Sequence, residues 1–236
     1  MRSLTATERQ TYSEQGYVVV PGVLDAEEVF RIDAEVDRMV PRVPDASAPD
    51  GWIFALHRKE SALCTALASD DRVLALVEGV VGPGVSLHSS KLVAKMPHSD
   101  EVCHWHQDEG FYFDGSEPDM RSDVRMSIWI PLQDPTEANG CLWVVPGSHR
   151  AGIERYRTVG DGHCRRRLLR SDHADAHAVP LRIKAGDAVL FSAYLWHQSR
   201  GNRTDRVRRA FIVSYQEAAI PRDAYGNPAP ILREAS

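Results

Sequence analysis

The chain has 236 residues, long for one ordinary domain, short for two, and a length at which all-β barrels and sandwiches fold as one unit. With 43% hydrophobic and 26% charged residues, its composition excludes wholesale disorder. A formal net charge of −5 excludes a general nucleic-acid footprint, and no apolar window is long enough to cross a bilayer.

The first residues, Met1-Arg2-Ser3-Leu4-Thr5, lack the apolar core of a signal peptide. Cys64, Cys103, Cys141 and Cys164 are scattered without a CxxC pair, so reduced thiols in a cytoplasmic protein are expected. Thr5-Ala6-Thr7-Glu8 has the spacing of a capping box and opens a short helix that should end near Gly16. Residues 17–20, Tyr-Val-Val-Val, read as a buried strand closed by Pro21-Gly22. Asp25 and Glu28 repeat the capping logic before a helix whose Val29, Ile32, Val36, Met39 and Val40 share one face.

Residues 41–51, rich in Pro, Asp, Ser and Ala, read as a surface loop, and 59–81 as helical up to Gly82-Pro83-Gly84. From Val85 onward the texture changes to short β-branched or aromatic runs, at 85–95, 103–107, 124–132, 142–145, 181–183, 188–191 and 207–215. A single domain over 1–236 is expected, with a mainly helical part at 1–84, a core at 85–217 and a tail at 218–236. Its class is an all-β core with helical decoration, a β-sandwich or jelly roll with helices packed outside.

His104-Trp105-His106-Gln107-Asp108 carries the chemistry. Side chains two apart on a strand share a face, so His106 and Asp108 can address one ion, and a second histidine from elsewhere would complete a facial triad. An isolated His-x-Asp is common by chance, and His104 shares the face of His106 as a rival ligand. His197 follows a buried run that begins after the Gly186-Asp187 turn, at the far end of that strand. An arginine on the next strand, within the arginine-rich residues 200–211, suits a bidentate pair with a dicarboxylate.

These segments together resemble the phytanoyl-CoA dioxygenase family of Fe(II)/2-oxoglutarate oxygenases. The resemblance runs from residues 14–24 through Trp105-His106-Gln107-Asp108 and residues 139–149 to His197-Gln198-Ser199 and Arg208-Arg209. It implies a double-stranded β-helix (a cupin-like jelly roll), metal ligands His106, Asp108 and His197, and Arg208 as the anchor of 2-oxoglutarate, aided by Ser199. The family often places a basic residue near the co-substrate on the preceding strand, which makes Lys91 and Lys95 candidates. Gln107 should point away from His106, Arg209 away from Arg208, and Pro146-Gly147-Ser148-His149 reads as a structural turn.

The implied reaction takes Fe(II), O2 and 2-oxoglutarate, with ascorbate supportive in vitro, and oxidises a C–H bond while releasing succinate and CO2. Retention of Asp108 argues against halogenation, because related halogenases vacate that position for chloride. Hydroxylation is the first expectation, with desaturation or oxidative cyclisation (orthoester formation on a sugar, for instance) beginning the same way. Pocket candidates are His104, Phe111, Tyr112, Trp143, Trp52 and Tyr194. Polar residues near the mouth and a composition typical of high-GC bacteria lean toward a polar small molecule and natural-product tailoring by a monomer or homodimer, without nucleic-acid or membrane partners. A catalytically silent jelly-roll binding module and a zinc hydrolase stay open as other classes.

Overall fold

The computed structural model describes residues 2–39, 51–58, 62–111, 125–160 and 164–235; Val40, the 41–50 loop, Lys59 and Tyr112 lie outside these residues, as does the side chain of Phe111. Both capping boxes form. In α1 (Ala6–Gln15), Glu8 N donates to Thr5 Oγ1 and Thr5 N to a Glu8 carboxylate oxygen, and Gly16 ends the helix at φ +80°. In α2 (Ala26–Met39), Asp25 and Glu28 exchange the same pair of bonds, while Val29, Ile32, Val36 and Met39 are buried as one face. The helical stretch expected at 59–81 is two helices, α3 (Ala62–Ala68) and α4 (Asp71–Val81). Ser69 Oγ bonds back to Thr65 O, and Asp70 leaves the helical path to accept from Arg72 N as the cap of α4.

Two antiparallel sheets make the core. The larger runs in the order β1 (Tyr17–Val20), β10 (Ala188–Ser192), β5 (Arg125–Pro131), β12 (Arg208–Glu217), β3 (Val85–Lys95) and β13 (Ile231–Arg233), with β2 (Ile53–Phe54) also on β3. The smaller runs β4 (Cys103–His106), β11 (His197–Ser199), β6 (Leu142–Val144), β9 (Val179–Pro180). A separate hairpin joins β7 (Tyr156–Thr158) to β8 (Arg166–Leu168). The jelly-roll class stands.

Helices cover the outer face of the larger sheet, where Leu74, Val77, Ile32 and Val36 pack with Leu87, Ile128, Leu190 and Phe211. Its inner face meets the smaller sheet through Val93, Trp129, Phe191 and Ala210 against Leu142 and Val144. With both faces covered, β3, β5, β10 and β12 are buried along most of their length and show no regular alternation of burial. Burying this double layer supplies most of the driving force for folding, at roughly 25 cal/mol per Å² of apolar surface.

Four expectations are corrected. Residues 181–183 are not a strand: Leu181 N bonds Leu142 O, and the chain then leaves the sheet for a turn in which Lys184 N donates to Asp187 Oδ2. His197 does not end the strand begun at Ala188. A turn, Leu195 N to Ser192 O, breaks β10, and the chain crosses to the other sheet as β11. The segment after 217 is no free tail, because β13 pairs with the outer edge of β3. Finally, Cys103 and Cys164 are joined by a disulfide across 61 residues, where packing of the β7–β8 hairpin on β4 brings their Cα atoms to 4.5 Å. Cys141 is a buried free thiol, as expected.

Candidate metal centre and active site

A cavity opens between the two sheets. The smaller sheet contributes His106 from β4, and His197 and Ser199 from β11, to its wall; the larger contributes Lys91 and Lys95 from β3 and Arg208 from β12. The strands bring these residues together because β11 pairs directly with β4, setting His197 opposite His106, while β12 pairs with β3, setting Arg208 opposite Lys95.

Donor atoms of His106, Asp108 and His197 all lie within 4.8 Å of one another, near the spacing of ligands that share one ion. The imidazole centroids are 4.1 Å apart, and His197 Nε2 is 3.7 Å from Asp108 Oδ1. Each ring is held from behind: His106 Nδ1 donates to His104 O at 2.6 Å and His197 Nδ1 to Leu195 O at 2.9 Å. Those bonds fix the tautomer with the proton on Nδ1, so Nε2 is the ring atom of each histidine suited to ligate a metal. Burial, then the neighbouring His197, pushes His106 down to about 3, and burial likewise lowers His197. For Asp108 burial pushes upward, but Lys91, the two imidazoles and the Ser127 hydroxyl outweigh it and hold the carboxyl below its ordinary range. Two neutral nitrogens and one carboxylate at neutral pH form the donor set that non-haem iron takes.

The fixing of Asp108 comes from the opposite sheet. Ser127 Oγ donates to Asp108 Oδ2 at 2.7 Å and lies 2.8 Å from Ser214 Oγ. All three side chains are buried. Orienting partners of this kind typically contribute 10–100-fold to metal affinity or activity. Ser127→Ala is therefore expected to weaken Fe(II) binding by about that factor with the fold intact, read by metal titration of the apoprotein.

His104, the rival ligand, does not join the cluster. His197 pairs with His106 and Ser199 with Cys103, so three steps on β4 face two on β11. This bulge breaks the two-residue alternation, placing Cys103 rather than His104 on the cavity wall. Gln107 turns away as expected and pins loops together, donating to Gly152 O and Tyr194 O and accepting from Glu154 N. The 146–149 turn is structural: Ser148 Oγ accepts from Trp196 N, and Gly147 N donates to Gln15 O.

Arg208 is 2% exposed, and no carboxylate pairs with it among the described residues. Its guanidinium donates to Gly140 O at 2.6 Å and Asn139 O at 3.5 Å, with the Trp129 ring 5.7 Å away. Burial brings it down to about 10. Lys95 is equally buried, donates to Glu101 O at 2.7 Å, and is lowered to about 8 by burial and by Arg208. Two buried cations side by side, with no carboxylate in ion-pair contact among the described residues, make a receptor for an anion. Arg209 instead pairs with Asp33 and Asp37 on α2, on the helix-covered face.

Of the aromatic pocket candidates, Trp52 lines the cavity, its indole N–H donating to Ala94 O. Trp143 does not. Its neighbours Leu142 and Val144 take the inner face of β6, so alternation turns the indole outward, where Arg200 stacks on it at 4.3 Å. Tyr194 is buried in the crossover turn behind the metal strand, away from the cavity wall. Trp129, Phe191 and Ile212 line the cavity and were not singled out from sequence. Inward parity with Arg208 and Lys91 was the one signal for Ile212.

The Phytanoyl-CoA dioxygenase (PhyH) family model matches residues 12–210. Ectoine dioxygenase of Bordetella parapertussis is 28% identical over 97% of this chain and 81% of its own length. Phytanoyl-CoA dioxygenase domain-containing protein 1 of Mus musculus is 32% identical over 70% of this chain and 56% of its own. Among solved structures, EctD from S. alaskensis with bound Fe superposes with a TM-score of 0.77 at 25% identity, over 98% of this chain and 87% of that one. The epimerase SnoN, in complex with Fe3+, alpha ketoglutarate and nogalamycin RO, reaches 0.76 at 23% identity over 96% and 98%, a likeness of fold. Among the described residues, no helix is long and apolar enough to cross a membrane.

Proposed function

The chain belongs to the phytanoyl-CoA dioxygenase family, and from that premise we propose that His106, Asp108 and His197 hold Fe(II) while Arg208, Lys95 and Ser199 hold the remote carboxylate of 2-oxoglutarate. It is a non-haem Fe(II)/2-oxoglutarate dioxygenase. The observation that carries the residue assignment is a two-histidine, one-carboxylate cluster, with Asp108 and His197 buried and His106 partly so, in the same cavity as a buried arginine that has no carboxylate partner among the described residues. A hydrolytic zinc site has no use for such an anchor.

Bound there, iron and 2-oxoglutarate supply activated O2 for C–H oxidation, with succinate and CO2 as co-products. The chain's own contribution is placement. Arg208 and Lys95 fix one end of the co-substrate, and Ser127 locks Asp108 so that Oδ1 faces the histidines. Trp129, Phe191, Leu142 and Val93 wall the cavity with apolar surface that keeps water from the reacting atoms.

The substrate is a small polar molecule and the first outcome is hydroxylation, with desaturation or ring closure sharing the same initial hydrogen abstraction. A relative named for ectoine supports a polar substrate, and tailoring of a bacterial secondary metabolite is the setting we infer. Asp108 occupies the position that a halogenase leaves to chloride, so chlorinated product is not expected. The test is a metabolite screen with Fe(II), ascorbate and 2-oxoglutarate, reading succinate and oxidised product by mass. Substrate-dependent succinate that requires Fe(II) and O2 supports the reading. Turnover that persists without O2, or 2-oxoglutarate binding without turnover of any compound, replaces it with a hydrolase or a binding module respectively.

A further inference from the structure

Lys91 is a cation that the roles above leave over. It lies on the inward face of β3 with Val93 and Lys95, all three lining the cavity. Lys95 is in register with Arg208, whereas Lys91 is in register with Ile212 on one side and Phe54 on the other. Four residues separate the two lysines, about 13 Å along an extended strand, so they address different ends of the cavity. The Lys91 side chain is 21% exposed, at the open end, while Lys95 is sealed at the other.

Its ion-pair partner among the described residues is Asp108, with Nζ 3.8 Å from Oδ1, beyond hydrogen-bond reach. That oxygen is also the one facing His197, so in the loaded enzyme its charge is committed to the metal. Asp108 is the sole carboxylate among the described residues that line the cavity. Fe(II), Asp108, doubly charged 2-oxoglutarate and Arg208 together balance to neutrality. Lys95 and Lys91 remain in excess. Lys95 has the Glu101 carbonyl and shares the remote carboxylate with Arg208, but Lys91 stands beside the metal position, and among the described residues Asp108 is the one carboxylate paired with it. A half-enclosed ammonium in that position is stabilised by an incoming negative charge and opposes a cationic or neutral ligand.

We propose that Lys91 is a specificity-determining residue that binds an oxyanion, a carboxylate or phosphate, carried by the substrate. The proposal rests on the iron and 2-oxoglutarate reading and separates Lys91 from the co-substrate role expected of both lysines. Trp52 and Ile212, which share the cavity wall with Lys91, form the apolar flank against which the carbon frame beside that anion lies.

The test uses protein loaded with Fe(II) and 2-oxoglutarate under argon, with benzoate and phenyl phosphate as anionic probes and benzamide as the neutral control, read by calorimetry. At least one anion is expected to bind the wild type tenfold or more tightly than benzamide. Lys91→Met should lose that preference, Lys91→Arg should keep it, and the affinity of both variants for 2-oxoglutarate should stay within twofold of wild type. Equal binding of anion and neutral probe by the wild type, or an anion preference that survives in Lys91→Met, overturns the proposal. A drop in 2-oxoglutarate affinity in Lys91→Met assigns the lysine to the co-substrate and overturns it while leaving the iron reading intact. Wild-type protein that takes up Fe(II) but no 2-oxoglutarate overturns both.

Discussion

Protein carrying His197→Ala is expected to retain no stoichiometric iron and to form no succinate above background. His197 offers a nitrogen whose direction is fixed by the Nδ1 bond to Leu195 O and by edge contact with Phe191 at 5.0 Å. Removing it leaves His106 and Asp108, two donors from one short segment, which cannot define the face of an octahedron. A partner that merely orients a ligand contributes 10–100-fold, so loss of a ligand itself should exceed about 10³-fold in turnover. Iron content by mass spectrometry and succinate release measure the two effects separately. The fold should survive, because the buried cluster consists of three mutually close polar groups and removing one also removes a desolvation cost. Stoichiometric iron in the variant would show that another residue completes the triad.

Arg208→Met should raise the dissociation constant for 2-oxoglutarate by about 10²–10⁴, the equivalent of two hydrogen bonds to a charged group at roughly 1.5–3 kcal/mol each. The ligand-free variant carries a different signature. Wild-type Arg208 holds a full charge in a buried place with only carbonyl partners, which is why burial pulls it down to about 10. An apolar side chain of similar length relieves that desolvation while leaving Gly140 O without its donor, two effects that oppose each other. The ligand-free melting temperature should therefore move little. Adding 2-oxoglutarate with Fe(II) should then stabilise the wild type by mass action and leave the variant unmoved, as read by thermal shift. A variant that is stabilised equally would place the co-substrate elsewhere.

How legible the site was from sequence depended on whether the backbone kept to regular periods. His106, Asp108, His197 and Arg208 were readable because the ordered set of segments that holds them resembles one family, where no single segment is distinctive, and the cavity brings all four together. Both helix starts were readable because a capping box is a four-residue chemical pattern, independent of tertiary context. The strands β2, β7, β8, β9 and β11 span two or three residues and are too short to show a period. Trp129 and Phe191 escaped notice because their strands are apolar on both faces, so nothing marks which residues look inward. Trp143 and Tyr194 were chosen for nearness to a motif, and alternation in one case and a crossover turn in the other carried them off the cavity wall. The Cys103–Cys164 pairing depends on a hairpin docking that no spacing rule encodes.

One extra residue in β4 has a further meaning for how this centre is specified. In a regular strand, His104 and His106 would both face the cavity with Asp108, and the chain would present a surplus ligand to the ion. The bulge between Cys103 and His106 settles the choice by counting backbone positions, without any difference in side-chain chemistry. Coordination number is in that sense written into strand length. Deleting either residue inside the bulge, His104 or Trp105, would restore the alternation with Cys103 two positions from His106, on the wall it already lines, and would bring no further imidazole inward. Register in β4 thus holds the contribution of this segment at two ligands, His106 and Asp108.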